Sequence, residues 1–296
     1  MHVVMAGSSG FLGSHLSAEL VRAGHEVNRL VRRPPHRDDE STWDPYTDHL
    51  DRDLIAGADV VVNLAGAPTM GNPHSASWAR KLKDSRVTTT DCLARALATT
   101  GGHAAFYAGN AVGWYGDHGG ELVTEESESR GDSFMTTVSR EWADATRPAL
   151  DTGVRVVRLH TAPVMDRQAA PLKQLLPLFK LGLGARLGAG TQHFPLVSLR
   201  DWVGAALHLL QSPDAEGPYI LAAPSTPTNA EFTDALAEAV GRRARLAAPA
   251  EILRVAAGRL APEVLGSQRV EPARLLARGH VFRDEDVRAV LAAALS

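Results

Sequence analysis

Two rhythms of apolar and polar positions alternate along the first half of the chain. Strand-like runs at 3–6, 25–31, 60–64, 104–108 and 154–159 are each followed by stretches whose apolar residues recur every three or four positions. The short runs read as strands and the longer spacing as helices, expected over 11–24, 50–56, 75–99 and 134–150. The run at 60–64 is almost unbroken, the pattern of a parallel strand buried on both faces. A strand–helix period repeated about five times predicts an α/β fold, a Rossmann-type doubly wound parallel sheet with helices on both faces. Residues 34–50 are polar and carry prolines, so they read as a surface loop with Trp43 packing back on the sheet.

Beyond residue 165 the alternation weakens. Helices are expected at 172–181, 200–210, 230–240, 250–257, 272–277 and 284–295, with short strands at 194–198 and 219–222 and a glycine-rich loop at 182–190. The expected division is a nucleotide-binding part over 1–165, to which 200–222 returns, and a smaller, mainly helical substrate-binding part over 166–296.

In such sheets ligands bind beyond the carboxyl ends of the strands, and the unusual segments all fall there. Gly7-Ser8-Ser9-Gly10-Phe11-Leu12-Gly13 joins the first strand to the first helix with glycines at G-x-x-G-x-x-G spacing. Glycine lets backbone approach a diphosphate, and a helix N-terminus offers unpaired N–H groups and a positive dipole end. The two serines are expected to bond phosphate. Asn63-Leu64-Ala65-Gly66 ends the third strand with small residues over which a cofactor can pass, and Asn110 to Tyr115 and His160 to Pro163 end the next two.

The end of the second strand selects between dinucleotides. An acidic residue there, roughly 20 positions past the glycines, holds the ribose hydroxyls of NAD. This chain has Arg32 and Arg33. A guanidinium binds a 2′-phosphate that a carboxylate would repel, so the expected cofactor is NADP(H). Arg86 and Thr161 complete the expected cofactor residues.

Composition narrows the classes. A formal net charge of −3 gives no electrostatic reason to expect nucleic acid or an acidic membrane as partner. The single cysteine, Cys92, excludes an internal disulfide framework and sits on a helix face as buried filler. The twelve histidines do not pair with carboxylates at helix-face spacing, so no metal site is expected. No apolar run reaches membrane-spanning length. A strand that starts after two residues leaves no room for a signal peptide, and a cytoplasmic monomer or homodimer is expected.

The glycine turn, Asn63-Leu64-Ala65-Gly66, Asp84-Ser85-Arg86-Val87, Gly113-Trp114-Tyr115-Gly116-Asp117 and Leu265-Gly266-Ser267-Gln268-Arg269-Val270 follow one another in an order that resembles the extended short-chain dehydrogenase/reductases. More closely, the chain is similar to the atypical branch labelled NAD-dependent or nucleoside-diphosphate-sugar epimerase, which ends in a small helical domain of unknown function. That resemblance implies a catalytic Tyr with a Lys four residues later on the helix after the acidic loop. The matching places hold Met135 and Ser139. It also implies a Ser where Asn110 stands, an Arg at His160, a Tyr at His193 and a His at Ser198. These departures gather at one rim, as in a pocket refitted to an unusual substrate.

The leading expectation is an NADP(H)-dependent oxidoreductase acting on a small or medium-sized organic molecule. Asn110 would orient a substrate oxygen and His160 or Tyr115 would supply the proton. Trp114, Met135, His193 and Leu196 would line the substrate side. The alternatives are a non-redox cyclase, dehydratase, isomerase or epimerase on the same scaffold, and an NADP(H)-sensing protein without turnover.

Overall fold

The computed structural model describes residues 1–101 and 103–296. In chain order its elements are β1 (His2–Ala6), α1 (Phe11–Arg22), β2 (Glu26–Val31), β3 (Glu40–Thr42), α2 (Arg52–Ala56), β4 (Val60–Asn63), α3 (Ala76–Thr100) and β5 (Ala105–Ala111). Next come β6 (Leu122–Val123), α4 (Phe134–Asp144), α5 (Arg147–Asp151), β7 (Val156–Thr161), β8 (Val164–Met165), α6 (Leu172–Lys180), β9 (Ala185–Leu187) and β10 (Val197–Ser198). The chain closes with α7 (Leu199–Leu210), β11 (Gly217–Leu221), α8 (Asn229–Ala239), β12 (Leu246–Ala248), α9 (Ala250–Ala257), α10 (Ala261–Leu265), β13 (Arg269–Val270), α11 (Ala273–Ala277) and α12 (Val287–Leu295).

Seven parallel strands form one sheet in the order β11-β7-β5-β4-β1-β2-β3. Strand order reverses between β1 and β4, the switch point where such sheets open a crevice. Val3, Val4, Met5 and Ala6 are fully buried, as a central strand requires. Leu16 and Leu20 of α1 and Trp202 and Ala205 of α7 cover one face. Leu93 and Leu97 of α3, Ile55 of α2 and Ala149 of α5 cover the other. A third apolar cluster, with Leu172, Phe232, Leu236, Val290 and Leu291, joins α6, α8 and α12 beside the sheet.

Four readings of the chain change. The polar stretch 34–50 holds an edge strand, β3, with Trp43 buried beside it and bonded from its N–H to the Val31 carbonyl. The single helix expected over 134–150 is two, because Pro148 lacks an N–H and Thr146 turns its own hydroxyl back on the Ala143 carbonyl. The glycine-rich loop holds β9, which pairs with β12. Finally, β5 and β7 extend their shared ladder to Ala111 and Thr161, so Asn110 and His160 lie inside strands as register partners.

Candidate functional site

The glycine turn has no room for side chains. Gly7 sits at φ +83°, and a Cβ on it would lie 2.5 Å from the Leu64 carbonyl carbon. A Cβ on Gly13 would lie 2.1 Å from the Gly7 carbonyl oxygen. The Gly10 N–H closes the turn onto Gly7 O at 3.0 Å. The helix α1 then starts without a side-chain cap and without an acidic residue in its first turn, so its N-terminal dipole faces the crevice unopposed. Ser8 is buried in the turn and Ser9 is exposed at its tip, while Phe11 and Leu12 pack against the main core.

The two arginines after β2 are not equivalent. Arg33 is held in a two-pronged ion pair with Glu40, at 2.7 and 2.8 Å. That bond, helped by the His36 N–H, holds the Glu40 carboxyl down to about 2. Arg32 is exposed and makes no hydrogen bond or ion pair among the described residues. The edge strand β3 therefore consumes one guanidinium and leaves the other available.

Across the crevice, Asn63 is fully buried and fixes the strand end. Its Nδ2 donates to Thr89 and Thr90 at 3.2 and 2.9 Å, and its Oδ1 accepts from Ala65 N–H. The Leu64 N–H donates to Ala6 O, tying this loop to the glycine turn. Arg86 acts from behind. Its Nη1 donates to Ala67 O and Leu82 O, its guanidinium stacks on Trp142, and burial lowers its pKa to about 10. It braces the 63–67 loop through backbone carbonyls.

The expected chemical groups sit deeper than the sequence suggested. Both ends of the Asn110 amide are used: Nδ2 donates to Ser139 O and Oδ1 accepts from Ala111 N–H. His160 is buried beneath the rim between Trp114 and Tyr115, with ring centroids 5.6 and 5.3 Å away. Desolvation, then the Arg158 charge, pushes its pKa down to about 3, so it stays neutral at ordinary pH. Tyr115 is fully buried, and desolvation, helped by Glu125, pushes its pKa well above the usual phenol range. Burial thus disfavours the imidazolium of His160 and the phenolate of Tyr115. The Thr161 hydroxyl is also taken, accepting from Trp202 Nε1 and donating to Leu159 O. Leu196 is buried in the third apolar cluster.

Met135, half-buried, and Ser139, fully buried, both pack against Gly113. His193 lies in a cavity of about 450 Å³ with Asp117, Gln192, Arg254 and Ser267. There its N–H donates to Ser267 Oγ at 2.9 Å.

Sequence reasoning missed Glu263. It reaches from α10 to the N-terminus of α4, where Oε1 accepts from Ser133 Oγ at 2.6 Å and from Met135 N–H at 2.9 Å. Its partners lie 128 and 130 positions earlier in the chain, and no local pattern marks such a pairing. Among the described residues no cluster of three or more His, Cys, Asp or Glu side chains could hold a metal, and no helix is long and apolar enough to cross a membrane.

Residues 3–139 match the NAD dependent epimerase/dehydratase family, and residues 248–294 match a domain of unknown function, DUF1731. An epimerase family protein of Mycobacterium bovis is 38% identical over 286 residues, covering 96% of this chain and 94% of its own. The chain belongs to the epimerase family. The human member SDR39U1 is 31% identical over 297 residues, covering 98% of both chains. Among solved structures, human SDR39U1 (isoform 2) with NADPH superposes with a TM-score of 0.87 at 29% identity over the whole of both chains. A nucleoside-diphosphate sugar epimerase of Corynebacterium glutamicum gives 0.78 at 35% identity, covering all of this chain and 58% of its own. This epimerase-family chain therefore has the Rossmann-like parallel sheet with a helical C-terminal region, and it carries no Tyr or Lys at 135 and 139.

Proposed function

We propose that this epimerase-family protein is an NADP(H)-dependent oxidoreductase acting on a small or medium-sized organic molecule. The observation that carries the reading is the division of labour at the strand ends. Gly7 and Gly13 form a cradle that any Cβ would fill, α1 opens toward it uncapped, and Arg32 after β2 is exposed with no partner among the described residues. These residues fit a dinucleotide with a 2′-phosphate: backbone N–H groups for the diphosphate and a guanidinium for the extra charge. The NADPH bound by human SDR39U1 supports the same cofactor here.

Held there, NADP(H) would supply hydride exchange with a carbonyl, an alcohol or an activated double bond. The chain's own residues bind and orient. Asn63 and Arg86 hold the 63–67 loop, and Asn110 fixes α4 to β5 so that Met135 and the 112–115 turn bound the substrate side. No Tyr–Lys pair holds a proton at that wall. That absence keeps a non-redox reaction as the second reading, in which substrate is converted without net change in the cofactor.

Titration of the purified protein with NADPH and NADH, followed by nucleotide fluorescence, tests the cofactor. NADPH is expected to bind at least tenfold more tightly. Arg32→Ala should erase most of that preference, and Arg33→Ala should change it less, because Arg33 is held by Glu40. Equal affinity for the two nucleotides, or a larger effect at Arg33, would refute the assignment. A carbonyl panel monitored by NADPH absorbance then separates redox turnover from conversion at constant absorbance.

A further inference from the structure

Five buried polar atoms beneath the 112–115 turn have no hydrogen-bond partner: Tyr115 Oη, Ser139 Oγ, Arg158 Nε and both ring nitrogens of His160. Packing and strand register link the side chains that carry them. Arg158 and His160 leave the same face of β7 two residues apart, opposite Ala108 and Asn110 of β5. The Tyr115 ring packs edge-on against His160 at 5.3 Å. Ser139 faces the turn, with Oγ 3.6 Å from where a Cβ on Gly113 would stand, and its carbonyl takes the Asn110 amide. Tyr115 and Ser139 are fully buried, and His160 is 2% exposed.

Such atoms are rarely left unpaired in a folded protein, and their chemistry says what pairs them. A neutral imidazole offers one donor and one acceptor, the two hydroxyls offer both roles, and a guanidinium Nε only donates. An anion would satisfy the donors but leave the imidazole's acceptor nitrogen bare. A metal cation would find a single imidazole and no carboxylate or thiolate in the group. An apolar ligand would satisfy none of the five. Water, the smallest group with both roles, can serve every member.

We propose that α4, the 112–115 turn and β7 enclose a hydrated chamber in which ordered water bridges His160, Tyr115 and Ser139, with Arg158 at its edge. His160 and Tyr115 are then positioning residues. Through water they hold the turn that carries Trp114 and the helix that carries Met135, the two walls of the proposed substrate side. The chamber depends on neither cofactor nor substrate, so it can stand even where the cofactor assignment fails.

A high-resolution crystal structure of the intact protein without added nucleotide tests it. Density for water is expected within hydrogen-bond distance of at least two of Tyr115 Oη, Ser139 Oγ and the His160 nitrogens. An empty chamber would overturn the proposal, and so would an anomalous peak there after a bromide soak. Melting curves give a second reading with an opposite sign for the rival. Tyr115→Phe and Ser139→Ala should each lower the melting temperature by a few degrees if water bridges them. A dry chamber predicts unchanged or raised values, because each variant would then remove an unsatisfied group.

Discussion

His160 carries the sharpest residue-scale consequence. Its folded pKa lies at about 3 against 6.5 for the free side chain, because burial, then the Arg158 charge, disfavours the imidazolium. Below pH 6.5 the unfolded chain takes up a proton that the folded chain refuses until about pH 3. Falling pH therefore favours unfolding, and the stability present above pH 6.5 is lost across that window. The slope is up to about 1.4 kcal/mol per pH unit for this one group. Urea unfolding of the wild type and of His160→Gln between pH 4 and 7.5 should show the difference between them shrinking as pH falls. Parallel curves would mean that His160 protonates in the folded state. The same residue shows a limit of sequence reading. Its position after an apolar run is plain in the sequence, but two extra ladder pairs between β5 and β7 turn a rim histidine into a buried one.

At the scale of elements, the edge strand β11 depends on a carboxylate from outside the sheet. Glu125 is buried, its Oε1 accepts from Ile220 N–H at 2.9 Å, and its Oε2 accepts from Arg274 N–H at 3.2 Å. It thus covers part of an edge that would otherwise expose unpaired backbone. Glu125→Ala leaves a buried N–H without an acceptor and should cost about 1–3 kcal/mol, read as a lower urea midpoint. Glu125→Gln, which keeps one acceptor, should lose less; an equal loss in both would show that charge, not hydrogen bonding, matters there.

The longer elements were legible because their periods repeat over many residues, as in α1 and α3. Pairs of two or three residues, β6 with β13 and β9 with β12, were not, since each is chosen by a partner far along the chain. The candidate site divides the same way. Gly7, Gly13 and Arg32 announce themselves by local spacing, whereas the capture of Arg33 by Glu40 and of α4 by Glu263 are tertiary events.

For the whole molecule the question is whether the C-terminal helical region can unfold alone. The side chains of residues 248–294 do not form a core of their own. Val270, Leu275 and Phe282 sit in the same cluster as Val3 and Met5 of the central strand, together with Trp202 of α7. Val290 and Leu291 complete the cluster built on Leu172 and Phe232. Polar links run the same way: Gln268 Nε2 donates to Val112 O and Gly116 O, and Asp201 accepts the N–H groups of Arg283 and Asp284. Separating the region would expose apolar surface on both sides at about 25 cal/mol per Å² and strand these donors. Unfolding in urea is therefore expected to be one transition. Tryptophan fluorescence, which reports five tryptophans including Trp43 and Trp202 on opposite faces of the sheet, should share its midpoint with far-ultraviolet circular dichroism. A helical signal lost at lower urea than the fluorescence change would show that the C-terminal helices release first, and would make them a separable lid over the crevice.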